Sequence, residues 1–218
     1  FSSVADDLCI TAVTGEDDFY LMPASADLRR LCVLRPRPLV EGDVVRDWKL
    51  GAVCEAVWPY DYELDVTWPS DAGSQLLWLG KARIRHRKRF GTPMVERGLH
   101  WFEWQELYRS KLQTPPTLTF AFVATHNHFV LDRGGKVFKQ SAPEIKLPKG
   151  ASEDDHLRLL GVLNSSTACF WLKQVSQGKG GFDEIWQDRF EFTGTKLAEY
   201  PLPSDRPLEL ARSLDAVT

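Results

Sequence analysis

Thr117-Leu118-Thr119-Phe120-Ala121-Phe122-Val123-Ala124, followed shortly by Phe129-Val130-Leu131-Asp132-Arg133-Gly134-Gly135-Lys136-Val137-Phe138-Lys139, carries the clearest backbone signal in the chain. The first stretch alternates Thr with Phe and Val, residues that suit a half-buried pleated surface, and so predicts a strand. In the second, Asp132-Arg133-Gly134-Gly135 lies between two short apolar runs. Two glycines that accept positive φ at no steric cost predict a turn there, with Phe129–Leu131 and Val137–Lys139 as the arms of a hairpin. The middle of the chain is therefore expected to be β-rich.

Toward the C-terminus the period changes. Ser152 with Asp155 three positions later has the form of a capping box, and Leu157, Leu160 and Leu163 supply an apolar stripe at helical spacing. Asn164-Ser165-Ser166 can end that helix and cap a second, whose apolar residues Cys169, Phe170, Leu172 and Val175 run up to Gly178-Lys179-Gly180-Gly181. Glu191–Tyr200 reads as extended, Pro201-Leu202-Pro203 as an exit, and Pro207–Val217 as a last helix.

Toward the N-terminus, Ile10–Leu21 reads as two extended pieces around Thr14-Gly15-Glu16-Asp17, a hairpin or strand-loop-strand. Ala26–Cys32 reads as helical or extended, Arg35-Pro36-Arg37-Pro38 blocks a helix, and Val40–Lys49 begins a new element. After Pro59, Pro69 and Asp71-Ala72-Gly73-Ser74, the stretch Gln75–Phe90 is free of proline and rich in Leu, Arg and Lys, which predicts a helix with a basic C-terminal half. Thr114-Pro115-Pro116 ends the segment after Trp101-Phe102-Glu103-Trp104. The expectation is α+β: a mixed β-sheet core with a basic helix and a C-terminal helical pair. Residues 1–203 form one domain, and 204–218 begin a C-terminal helix or linker.

Composition narrows the function classes. A domain of 218 residues buries roughly 70% of the surface its unfolded chain exposes, and 43% hydrophobic with 26% charged residues excludes a disordered or fibrous chain. Eight tryptophans serve either the core or a wall for a partner. Leu118–Ala124 is the longest apolar-rich run, far short of the roughly 20 residues that cross a bilayer. The chain opens on Phe1 with no basic stretch and apolar run behind it, which reads as a piece of a longer protein without a signal peptide. Cys9, Cys32, Cys54 and Cys169 form no C-x-x-C pair, so reduced thiols in a cytoplasmic protein are expected rather than a zinc ribbon. The net charge of -3 disfavours a generic nucleic-acid coat, yet the charge is segregated. Lys81, Arg83, Arg85, Arg87, Lys88, Arg89 and Arg97 face one acid, Glu96, while Glu16-Asp17-Asp18 and Glu153-Asp154-Asp155 gather acids elsewhere. A one-sided binder has this pattern, and so does an ordinary solvated helical face.

Catalytic chemistry is not evident. His126-Asn127-His128 would set two imidazoles on one face of an extended segment, but no third ligand stands at a telling spacing, and hydrogen bonding to a base edge or phosphate suits them better. No phosphate-binding glycine motif, nucleophile elbow or carboxylate pair emerges. Gly178-Lys179-Gly180-Gly181 reads either as a helix C-cap or as a glycine loop presenting Lys179 to a phosphate.

Several pieces in order carry a family likeness. They are Gly42-Asp43-Val44-Val45-Arg46-Asp47-Trp48, Trp58-Pro59-Tyr60-Asp61, Leu112-Gln113-Thr114-Pro115, Phe129 to Gly135, Leu159-Leu160-Gly161-Val162-Leu163-Asn164-Ser165 and Tyr200-Pro201-Leu202-Pro203. From about Cys9 to Pro203 this order resembles the C-terminal specificity region of TaqI-like and Eco57I-like adenine methyltransferases, and above all of the PglX-type enzymes of BREX phage-defence systems. The resemblance implies a target-recognition domain that selects double-stranded DNA, while a missing N-terminal methyltransferase domain uses S-adenosylmethionine to methylate adenine N6 after flipping the base. The N-P-P-Y type motif of that chemistry and a cofactor-binding glycine motif are both absent, so this fragment is expected to hold no cofactor and no catalytic residue. Other defence-system subunits are further expected partners.

DNA contacts do not transfer by motif, so they are chosen on chemistry. Arg85, Arg87, Lys88 and Arg89 are expected phosphate contacts, and His126, Asn127, Lys139 and Lys179 are expected loop contacts nearer the bases. Arg46 reads either as a DNA contact or as half of a salt bridge. Gly42, Asp43, Asp47, Trp48, Trp101 and the Leu-Asn-Ser junction read as turns and packing. A module that docks other proteins through its tryptophans is the alternative, and a divalent-metal nuclease a third reading.

Overall fold

The strand expected over Thr117–Ala124 forms only in part, as β9 (Thr117–Phe120) with all four residues buried, while Val123–Ala124 is a separate strand that pairs with Phe190–Glu191 in another sheet. Alternation sends Leu118 and Phe120 into an apolar cluster, while Thr117 and Thr119 donate their hydroxyls to Ile145 O at 3.0 Å and to Pro143 O at 3.0 Å. The threonines therefore bury without an orphaned hydroxyl, which would otherwise cost about 1–3 kcal/mol. The sheet runs in the order β1 (Asp7–Cys9), β13 (Glu144–Lys146), β9, β11 (Phe129–Asp132), with every pairing antiparallel. The computed structural model describes residues 1, 4–22, 36–68, 71–112, 116–180 and 188–218, and within it the architecture is α+β. The expectations for Ala26–Cys32, Arg35, Pro69, Thr114-Pro115 and Gly181 lie outside the described residues.

The helical pair forms as the sequence predicts. Glu153–Leu163 is N-capped by Ser152 in a complete capping box with Asp155, and Ser166–Val175 is capped by Ser165, whose hydroxyl accepts from Ala168 N. Their apolar stripe, with Leu157, Leu160, Leu163 and Leu172, closes over Leu118, Phe120, Phe129 and Leu131. Leu208–Ala216 packs on the first of these helices as the expected last helix, close enough that a Cβ on Gly161 would stand 3.1 Å from Ala211.

A second sheet runs β12 (Val137–Phe138), β4 (Arg37–Val40), β5 (Cys54–Ala56), β3 (Leu21–Met22). Its cluster is aromatic: Trp58 and Trp104 meet edge to face at 5.0 Å, and Trp104 Nε1 donates to Val57 O at 3.0 Å. A three-stranded sheet, β10 (Val123–Ala124), β15 (Phe190–Glu191) and β14 (Gln177–Gly178), and two short pairs, β2 (Ala12–Val13) with β8 (Glu106–Leu107) and β6 (Lys88–Arg89) with β7 (Thr92–Pro93), complete the described strands.

Three more expectations are corrected and one alternative is resolved. The Asp132–Gly135 turn exists, with Gly134 and Gly135 at φ +115° and +86° and Asp132 accepting from Gly134 N at 3.0 Å, but it is a corner and not a hairpin. β11 pairs with β9, whereas β12 leaves to pair in parallel with β4. Of the two alternatives for Ile10–Leu21 the hairpin fails and strand-loop-strand holds: β2 and β3 are separate strands joined by a helical turn, Asp17–Tyr20, and they pair with β8 and β5 rather than with each other. The Gln75–Phe90 helix stops early: Asp71–Leu79 is helical, Gly80 breaks it, Lys81–Ile84 makes one more turn, and Lys88–Arg89 is already strand. The Phe19 ring fills the space beside Gly80, where a Cβ would stand 2.4 Å away. Glu191–Tyr200 is extended only at its start, because Thr193 caps the helix Gly194–Ala198 and buries Leu197.

Candidate nucleic-acid interface

The basic run from Lys81 to Arg97 is sorted by the fold into buried, paired and free cations. Where the backbone leaves the helical turn, Arg87 points inward and is 5% exposed. Its Nε donates to Ile84 O at 2.9 Å, its Nη1 to Thr14 O, and its Nη2 to Glu103 O at 2.6 Å, Trp101 O at 3.1 Å and the Tyr20 hydroxyl at 3.1 Å. Burial lowers its pKa from the ordinary guanidinium value and pushes the Tyr20 hydroxyl up to about 12. This guanidinium ties the Thr14 turn, the helical turn and the Trp101–Glu103 segment together, so Arg87 is removed from the expected phosphate contacts. Arg89 pairs with Glu106 at 2.5 Å, and Arg83 with Glu16 at 2.9 Å. Lys81 sits over the Trp78 ring at 3.5 Å. Arg85 and Lys88 remain exposed, with no acid partner among the described residues.

The other expected contacts divide in the same way. Asn127 is buried, donating its amide to Leu163 O, so it holds the end of a helix and is not available to a base. Lys139 bonds the carboxylates of Asp17 and of Glu41, the latter at 2.7 Å, and is only 14% exposed, which removes it as well. Lys179 is neither a helix C-cap nor a free loop cation: it follows β14 and pairs with Glu191 at 2.8 Å.

His126 stays exposed, and its Nδ1 lies 2.9 Å from Thr125 Oγ1. His128 Nδ1 lies 2.8 Å from Asp47 Oδ1. The next residue, Trp48, takes a left-handed φ of +69° and donates its N–H to Phe129 O at 3.1 Å. Arg46 is exposed, donates only to its own Val45 O at 2.8 Å, and has no salt bridge among the described residues. The His126 pKa is lowered first by burial and then by the neighbouring positive charges of Lys173 and His128. Lys173, whose ammonium stands 5.4 Å from the Phe190 ring centroid, is thus an additional cation at this site. The sequence carries a faint signal for it: Lys173 follows Phe170, which is 69% exposed, by three positions on the face of the Ser166–Val175 helix that leaves the core.

Among these residues, Arg85 with Lys88, and separately Arg46 and Lys173, are therefore cations without an acid partner among the described residues, while His126 lies beside Lys173 with its charged form disfavoured. Neither set surrounds a carboxylate pair or nucleophile arranged for catalysis, and among the described residues no three His, Cys, Asp or Glu side chains are placed to hold a metal ion. No helix among the described residues is long and apolar enough to cross a membrane. Of the tryptophans, Trp58 and Trp104 are core, whereas Trp68 and Trp78 are 49% and 56% exposed.

No family model matches the chain. The adenine-specific methyltransferase PglX of Streptomyces coelicolor is 48% identical to it over 197 residues, covering 83% of this chain and 16% of that protein. The chain is therefore a PglX-like sequence, and it spans about one sixth of the length of the curated relative it matches.

Proposed function

We propose that this chain is the DNA-recognition segment of a larger adenine-specific methyltransferase of PglX type, acting in bacterial phage defence, and that it reads double-stranded DNA without taking part in the chemistry. The observation that carries this reading is the 48% identity to part of an adenine-specific methyltransferase, along a sequence that contains no N-P-P-Y type motif. In this reading S-adenosylmethionine is held by the rest of the parent enzyme, which transfers the methyl group to the flipped adenine. This segment supplies the opposing wall. Arg85 and Lys88, and separately Arg46 and Lys173, have positive charge free for phosphates, and His126 offers an exposed imidazole for hydrogen bonding.

Binding of the full-length enzyme to random duplex DNA across a salt series tests this. The variant to use is Arg85→Ala with Lys88→Ala, leaving Arg87 and Arg89 in place. Each lost phosphate contact should flatten the slope of log affinity against log salt by about one. An unchanged slope would remove this face from the interface.

The exposed aromatic cluster favours a second reading, a docking face for another subunit. Trp68 and Trp101 meet at 5.9 Å, Trp78 and Trp101 at 5.9 Å, and Leu79 beside them is 84% exposed. Salt separates the two readings, because an apolar contact barely weakens as salt rises.

A further inference from the structure

The tip of the β6–β7 hairpin joins two observations that neither core packing nor turn chemistry explains. Lys88–Arg89 pairs with Thr92–Pro93 around a two-residue turn in which both Phe90 and Gly91 have positive φ, +49° and +85°. That turn favours Asn-Gly or Gly-Gly, and a bulky aromatic at its first central position is strained. The Phe90 ring recovers none of that cost by burial, since it is 91% exposed. One face of the ring has the Arg89 guanidinium at 4.5 Å, and Arg89 is itself held by Glu106, so the ring is propped and its other face is open to solvent.

The mount is rigid. Arg87, with its five acceptors, directly precedes the hairpin, and fully buried Met94 directly follows it, donating its N–H to Arg87 O at 3.1 Å. Gln105 Nε2 donates to Lys88 O at 2.5 Å. Lys88 at the base of the hairpin and Arg85 just before it are the free cations of this face.

We propose that this hairpin is a wedge for duplex DNA: Lys88 and Arg85 engage the phosphates flanking a groove, and the open face of Phe90 stacks on, or inserts beside, a base. Cations at the base and an apolar ring at the tip match the two surfaces a groove offers, charged walls and an apolar base stack. The inference rests on the DNA-recognition reading and adds to it a named stacking residue.

The experiment is binding of the full-length enzyme to a short random-sequence duplex, with Phe90→Asn, Phe90→Trp and the native protein compared beside their thermal melting. Asn suits the turn, so Phe90→Asn should melt no lower than native. Its affinity for the duplex should fall about tenfold with the salt slope unchanged, because stacking carries no counterion term. Phe90→Trp should bind as native. If the native enzyme binds and Phe90→Asn binds equally well, the wedge is overturned and the recognition reading stands. If the native enzyme binds no DNA at low salt, both fall. If Phe90→Asn keeps its DNA affinity but loses a co-purifying subunit, the tip is a protein anchor and the wedge is again overturned.

Discussion

Arg85 and Arg87 are two positions apart and have opposite roles. Arg85 is exposed and unpaired among the described residues, whereas Arg87 donates to five acceptors from separate segments. Removing a buried charged donor leaves its carbonyls without partners, so Arg87→Ala is expected to lower unfolding stability by about 3–5 kcal/mol, while Arg85→Ala stays within about 0.5 kcal/mol. Urea denaturation of the two variants measures the difference, and equal midpoints would contradict the assignment. Asn164 is a second such residue: its Oδ1 accepts from Phe129 N at 3.0 Å and its Nδ2 donates to Phe129 O at 2.9 Å. Asn164→Ala should cost about 2 kcal/mol, and Asn164→Asp at least as much, because a carboxylate then faces Phe129 O instead of a donor. A side chain's inward or outward aim was not legible for these residues. Arg87 lies in a run that reads as uniformly basic, and what turns it inward is a set of carbonyls supplied by segments distant in sequence.

At the scale of elements, the sequence was clearest where the signal is local. The Ser152–Asp155 box and the Leu stripe predict the Glu153–Leu163 helix, and the structure has both reciprocal bonds, Ser152 N to Asp155 Oδ2 at 2.9 Å and Asp155 N to Ser152 Oγ at 3.2 Å. The Ser152 hydroxyl, donating to Asp155 Oδ2 at 2.6 Å, and then the Ser152 N–H lower the Asp155 pKa below the usual carboxylate value. Asp155→Ala is expected to cost about 1 kcal/mol at neutral pH. Because the folded carboxyl titrates below the free one, its stabilisation is complete above the free value of about 4 and is lost as pH falls through the folded value. The deficit of the variant should therefore shrink toward zero on acidification, and a deficit independent of pH would contradict it. Where an element depends on a distant partner, local pattern misleads. Asp132-Arg133-Gly134-Gly135 encodes a reversal correctly, but not that the strand after it joins β4 in another sheet. Gln75–Phe90 has helical composition throughout, yet Gly80 under the Phe19 ring and the inward turn of Arg87 divide it.

For the whole molecule, the α+β class was legible because strand and helix periods occupy different parts of the chain. The arrangement of charge was legible only as an excess. Of the nine residues singled out for DNA, Arg46, Arg85, Lys88 and His126 are exposed without an acid partner among the described residues, Arg89, Lys139 and Lys179 are ion-paired, and Arg87 and Asn127 are buried. Pairing with acids distant in sequence, such as Lys139 with Asp17 and Glu41, is a property of the folded chain. The flattened salt slope of the Arg85 and Lys88 double variant is thus a whole-molecule prediction, because it depends on which cations the fold leaves free.

The arrangement around Phe129 has a further consequence. β11 is the outer strand of its sheet, and the Asn164 amide and the Trp48 N–H take up backbone groups along its outer side. An open edge there would offer another polypeptide a ready template for strand addition. The residue that joins helix to sheet thereby also keeps neighbouring molecules from zipping together, and Asn164→Ala should show its defect as concentration-dependent aggregation before it shows any loss of helix.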